Sequence, residues 1–337
     1  MSPTPPNSPE PPTSPPTPPP SPAKPVLLYD DPVFEQHETR SHPECPQRLV
    51  AIRRRLSADG LLDRCTRVAT RPAEDSDLEL VHSKDHIENV RIFAASGGGN
   101  LDPDTIASKE SYNVARLAAG TAVDAVDRVI AGEANRALCL VRPPGHHALP
   151  HKAMGFCLFG NIAVAAAHVR AAHDLDRVLI VDWDVHHGNG TQDMFYDDGQ
   201  VHFLSLHRWP FYPGTGAADE TGTGNGLGAT LNLPLKFGVS RQDYRQGFAN
   251  ALEKIAARCR PELILLSAGF DAHAADPIGS LGLESEDFAD MTRIVCDVAA
   301  LHCGGRLVSL LEGGYNVEKL AESVAAHLTV LLDHSSG

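Results

Sequence analysis

The sequence predicts an α/β fold: a single domain built on a mainly parallel sheet. Two observations predict it. Short apolar runs of strand length alternate with long alanine-rich stretches of helical period, the rhythm of strand–helix–strand units. The polar residues able to do chemistry follow directly on the apolar runs, at the strand ends where open parallel sheets bind their ligands.

In chain order, residues 1–25 stand apart. They hold 13 of the 26 prolines, and a proline fixes φ and lacks an amide donor, so neither helix nor ladder forms there. A disordered, extended tail is expected, with a PxxP groove ligand as the lesser reading. One domain is expected over 26–334. Its helical stretches are Ser111–Ala131, Asn161–His173, Arg241–Cys259, Ser285–His302 and Val317–Leu332. Interleaved with them, Ala137–Val141, Val178–Val181, Leu263–Leu266 and Leu307–Leu311 read as buried strands. Ser111, Ser285 and Asn316 stand at expected helix caps. No internal repeat interrupts this order.

Composition excludes several function classes. With 29 Lys+Arg against 43 Asp+Glu, the net charge of −14 opposes direct nucleic-acid binding, which needs clustered cations to displace counterions. No apolar run approaches the ~20 residues of a membrane-spanning helix, and the N-terminus has no secretory pattern. Seven cysteines without a CxxC pair read as reduced thiols of a cytoplasmic chain. The glycine-rich stretch Pro213–Gly228 has neither a GxGxxG nor a Walker pattern and is expected to be a mobile rim loop. The oligomeric state is left open.

The four strand ends carry the functional reading. Arg142-Pro143-Pro144-Gly145-His146-His147 follows the first, and Asp182-Trp183-Asp184-Val185-His186-His187-Gly188-Asn189 the second. Ser267-Ala268-Gly269-Phe270-Asp271 ends the third, and Glu312-Gly313-Gly314-Tyr315 the fourth. Asp184 and His186 are two apart, so in an extended segment both would point the same way. Alone they are an ordinary hydrogen-bonded pair; joined by Asp271 they offer an O/N/O metal site with a fourth position left for water. Zinc suits that set, and manganese or iron can also occupy it. A histidine of the His146-His147 pair can act as general base. Asp182 and Asn189 are candidate partners for the two rings, and only the carboxylate favours a charged imidazole. Tyr315, after two glycines, can aim a phenol at a developing oxyanion.

The runs RPPGHHA (142–148), GFCLFGN (155–161), VDWDVHHGNGTQ (181–192), SAGFDAHAADP (267–277) and LEGGYN (311–316) resemble the zinc-dependent histone deacetylase superfamily. That superfamily includes acetylpolyamine amidohydrolases and bacterial histone-deacetylase-like amidohydrolases. HPECPQRL (42–49) and LDPDT (101–105) extend the likeness, and the Asn of HHGNG is similar to the class II branch. The resemblance implies an eight-stranded parallel sheet flanked by helices, the arginase/deacetylase fold. It implies zinc on Asp184, His186 and Asp271, His146 paired with Asp182, His147 as general base facing Asn189, and Tyr315 polarising the substrate carbonyl. It also implies an acyl-lysine tunnel with Gly155 at its wall, flanked by Phe156 and Tyr212, the tyrosine replacing a usual Phe. A potassium ion is implied beside the zinc, on Asp182, Asp184, His186, Ser205 and Leu206.

The expected reaction is hydrolysis of an acetyl or short acyl amide, on acetylated lysine in a protein or peptide or on a small acylated amine. Polyamine-selective relatives carry a glutamate just after the Asp-Pro that follows the third zinc ligand. Here that position is Ile278, which favours acyl-lysine over an acetylpolyamine. Two rivals fit less well. An arginase-like ureohydrolase would have Asp where His273 stands, and a silent acyl-lysine binding module would have lost His147 or Tyr315.

Overall fold

A computed structural model of the chain describes residues 25–334. The tail expected over 1–25 therefore lies, apart from Pro25, outside the described residues. The chain enters through β1 (Val26–Tyr29), α1 (Gln47–Ala58), β2 (Thr66–Arg67), α2 (Asp75–Leu78) and α3 (Lys84–Ala95). A small antiparallel hairpin follows, β3 (Gly99–Asp102) and β4 (Thr105–Ala107). Then come α4 (Ser111–Ile130), β5 (Arg136–Cys139), α5 (Asn161–His173), β6 (Val178–Asp182), α6 (Asn189–Phe195), β7 (Val201–Arg208) and β8 (Thr230–Leu235). The chain closes with α7 (Arg241–Cys259), β9 (Leu263–Ala268), α8 (Ser285–Cys303), β10 (Leu307–Leu311) and α9 (Val317–Asp333).

Eight of the strands form one sheet in the order β2-β1-β5-β10-β9-β6-β7-β8, with every neighbouring pair parallel. The central strands are buried along their whole length, as a sheet covered on both faces requires. Two rows of helices supply the cover: α7, α8, α9 and α1 pack in series, and α4 packs on α5. Trp183, Phe248 and Phe270 knit the first row to the sheet with edge-on ring contacts. The α/β expectation holds, as does the parallel eight-stranded sheet that the resemblance implied.

Two cap expectations are corrected. The residue before α4 is Glu110, which makes no side-chain capping bond, and Ser111 turns its hydroxyl inward to accept from the Ser108 amide and to bond His37. α8 begins one residue earlier than Ser285 implied, where Glu284 and Asp287 form a reciprocal capping box. Asn316 does cap α9, accepting from the Lys319 amide.

The four strands read from the sequence, β5, β10, β9 and β6, are consecutive in the sheet. Because all are parallel, the segments leaving them emerge side by side at one edge.

Candidate functional site

Asp184, His186 and Asp271 meet at that edge, fully buried or nearly so, with one donor atom from each inside a 4.8 Å group. Their convergence does not come from an extended strand, as the two-residue spacing had implied. β6 ends at Asp182, and the chain then bends through two side-chain-capped turns: the Asp184 amide donates to Asp182 Oδ1 (3.0 Å) and the His186 amide to Asp184 Oδ1 (2.9 Å). His186 Nδ1 lies 3.0 Å from Asp184 Oδ1 and 3.1 Å from Asp271 Oδ2, so Nδ1 is its inward nitrogen. The outer oxygens are held by backbone amides, Gly313 N–H on Asp184 Oδ2 and Val185 N–H on Asp271 Oδ1, each at 2.8 Å. A Cβ at Gly313 would overlap both carboxylates, so the glycine before Tyr315 makes room for the ligands rather than lending flexibility.

Electrostatics fit a cation here. Burial and the facing Asp184 charge push the Asp271 carboxyl up to about 7. Against the cost of burial, the nearby His146 and His186 imidazoles hold Asp184 well below the usual carboxylate range. Two buried carboxylates, each oriented by a backbone amide, and one imidazole are the donor set of a catalytic zinc.

The paired histidines have opposite surroundings. Burial works against a charge on His146, but Asp182 and Asp184 outweigh it and raise its pKa to about 10; Nδ1 lies 2.9 Å from Asp182 Oδ2. Burial and the neighbouring His146 and His186 push His147 well below its ordinary value. Its Nδ1 lies 2.7 Å from Asn189 Oδ1, which can only accept. The proton therefore sits on Nδ1 and the Nε2 lone pair is free.

A cavity of about 200 Å³ opens beside these groups. His147, His186 and Tyr315, all buried, form its inner end, while the more exposed Phe156, Phe211, Tyr212 and Ile278 line the outer part. Tyr212 meets the His147 ring edge-on at 5.2 Å, and Phe156 meets Tyr315 at 5.7 Å. Gly155, at φ +56°, lets the wall pass the His147 ring, which a Cβ would strike. Burial and the nearby Asp104 carboxylate push the Tyr212 phenol well above its ordinary pKa.

Several functional positions were missed by the sequence reading. Phe211 stacks on His186 at 5.3 Å and 15°. Buried Glu312 accepts from the Gly145 and His146 amides at 2.7 and 3.2 Å, fixing the His-His turn. Buried Glu44 holds Arg142 by two bonds (2.5 and 2.8 Å) and Arg48 by one (3.2 Å). Arg48 donates to the carbonyls of Glu312 and Gly314 and lies 5.2 Å over the Tyr315 ring. Asp276 accepts from the Tyr315 amide (2.7 Å) and the Ile278 amide (2.9 Å). The HPECPQRL run was the available signal for Glu44 and Arg48.

Of the potassium set, Ser205 pairs with Asp182 in register, and its hydroxyl bonds His207 Nδ1 at 3.0 Å. The stretch Pro213–Gly228, expected to be mobile, is tied down at several points. Thr215 bonds His187 (2.8 Å), the Gly216 carbonyl bonds His207 (2.8 Å), and Glu220 bonds Gln192 (2.7 Å) and the Gly216 and Ala217 amides (3.0 Å each).

Residues 42–331 match the family model described as histone deacetylase domain. A histone deacetylase-like amidohydrolase of Pseudomonas aeruginosa is 44% identical over 82% of this chain and 73% of its own length. The human polyamine deacetylase HDAC10 is 43% identical over 91% of this chain but only 46% of its own. Among solved structures, the HDA15 HD domain superposes with a TM-score of 0.86 at 39% identity, covering 92% of this chain and 91% of that one.

Proposed function

Because the chain belongs to the histone deacetylase family and is a deacetylase hydrolase, we propose that it removes acetyl or short acyl groups from lysine side chains of proteins or peptides. The proposed catalytic domain is 26–334, in a cytoplasmic chain whose seven cysteines are free thiols. Zinc would be held by Asp184, His186 and Asp271. When bound, it supplies Lewis-acid chemistry, lowering the pKa of a water and polarising the acyl carbonyl.

The remaining steps belong to the side chains. His147, neutral and with Nε2 free, takes the proton of the attacking water. Tyr315, whose hydroxyl is held well above its ordinary pKa by burial and the Asp271 and Asp184 charges, keeps its proton and donates to the carbonyl oxygen as negative charge develops there. His147 then returns a proton to the departing lysine amine, leaving acetate and a free amine. His146 stays charged against Asp182, which fixes the adjacent ring and adds positive potential at the inner end. Potassium would sit behind Asp182, Asp184 and His186. Ser205 and Leu206 oxygens would complete the set, the Ser205 hydroxyl keeping its lone pairs while it donates to His207 Nδ1.

The observation that carries the substrate class is the narrow cavity with aromatic walls and Ile278 at its outer part. An acyl-lysine side chain offers a bare methylene stem to such walls; the carboxylate of the lining is Asp104, and Ile278 adds none for the cationic chain of a polyamine. The human relative is named a polyamine deacetylase, and that supports N-acetylated polyamines as the second reading. The test is turnover of an acetyl-lysine peptide, its trifluoroacetyl analogue and N-acetylputrescine side by side. Chelator-sensitive preference for the acetyl-lysine peptide is expected. Preference for N-acetylputrescine would transfer the proposal to the second reading, and activity on trifluoroacetyl-lysine alone would mean that Tyr315 does not polarise the carbonyl.

A further inference from the structure

A second cluster of metal-ligating side chains lies at the opposite edge of the sheet, where α4 and α5 end and the strands after them begin. Nε2 of His168 and Nε2 of His173 stand 2.9 and 2.7 Å from one oxygen of Asp127, Oδ1. One donor atom from each of the three residues falls inside a 4.8 Å group. The catalytic triad shows the same signature, imidazole nitrogen aimed at carboxylate oxygen at 3.0 and 3.1 Å.

Three further observations bear on how these ligands are set. His168 directs its other nitrogen, Nδ1, at Asp77 Oδ1 (3.2 Å), and a carboxylate on the outer nitrogen is what orients metal-binding imidazoles and makes them more basic. Arg71 donates to the opposite oxygen of Asp127, Oδ2, at 3.2 Å, so Oδ1 is left facing the two rings. His173 is the last residue of α5, where the free carbonyl ends of a helix carry partial negative charge. The three side chains are 17–33% exposed, within reach of an ion from solvent.

We propose that Asp127, His168 and His173 form a second site for a divalent transition metal, zinc in the first instance, that ties α4 to α5 and takes no part in turnover. Two imidazoles and a carboxylate suit zinc, copper or nickel and not calcium or magnesium. Three protein ligands on a half-exposed surface leave a coordination position to water.

Equilibrium dialysis of the full chain against zinc alone tests this. Zinc per chain is counted for the unaltered protein, His173→Ala, Asp184→Ala and the double variant. Two, one, one and none are expected, with His173→Ala retaining full acetyl-lysine turnover. A second readout is the thermal midpoint of Asp184→Ala, which should rise with zinc and stop rising once His173→Ala is added. Equal zinc content and equal thermal response in Asp184→Ala with and without His173→Ala would overturn the second site. So would a single zinc lost only in Asp184→Ala. A single zinc lost only in His173→Ala would instead support the second site and overturn the catalytic-zinc reading.

Discussion

Two clusters of imidazole and carboxylate lie at opposite edges of one sheet, and in each the donor atoms lie within 4.8 Å of one another. Around Asp184, His186 and Asp271 every ligand is buried, outer oxygens are held by backbone amides, and a cavity brings His147 and Tyr315 to the same point. Around Asp127, His168 and His173 the ligands are half-buried, and beside them stand Asp77 and Arg71, each already bonded to a ligand side chain. Ligand geometry accounts for metal affinity in both places. Chemistry needs the dry cavity and the two groups converging on it.

The largest effect that should separate the clusters is loss of a ligand. Asp184→Ala should abolish zinc at the buried site and lower kcat/KM by more than about 10⁴-fold, because water activation and carbonyl polarisation vanish together; zinc content and turnover measured on one sample check it. Next come the groups that only the buried cluster has. His147→Ala should keep zinc and lose about 10²–10⁴ in kcat, and Tyr315→Phe about 10²–10³. Turnover near normal in either variant would remove that side chain from the reaction.

Burial, the property that divides the clusters, also has a global signature. His82 and His327, buried, have pKa values pushed down to about 3, and His37 to about 4, from 6.5. Unfolding lets each take a proton, so stability is full above pH 6.5 and falls as pH drops toward those folded values. Each imidazole costs up to about 1.4 kcal/mol per pH unit over that window. The thermal midpoint should therefore fall between pH 7 and pH 5; a flat profile would mean these rings are charged in the fold. The smallest expected effect is Ile278→Glu, which should shift kcat/KM toward N-acetylputrescine by about five- to tenfold, the scale of one partly solvated charge pair.

What the sequence disclosed follows the same division. Val178–Val181 and Leu263–Leu266 were legible as strands because they are unbroken apolar runs, and the motifs beyond them were legible because strand ends gather ligands. β7 was not. VHFLSLHR alternates polar and apolar residues as a half-exposed strand would, yet Ser205 and His207 are buried because they bond each other. Glu44 and Glu312 were hidden for a related reason. A carboxylate is an interior residue only when its partners are present; Arg48 is near Glu44 in sequence, but Arg142, which also binds Glu44, and the Gly145 amide that binds Glu312 come from distant parts of the chain. The second cluster also escaped notice, since Asp127 and His168 are 41 residues apart and meet only through the packing of α4 on α5.

One measurement tests most directly whether turnover belongs to the buried cluster. The protein is stripped of metal with a chelator, and deacetylation of an acetyl-lysine peptide is followed as zinc is restored, for the unaltered chain and for Asp184→Ala. Silence without metal is predicted, then recovery complete by the second equivalent in the unaltered chain and no recovery in Asp184→Ala. Turnover by the stripped protein, or recovery in Asp184→Ala, would contradict it.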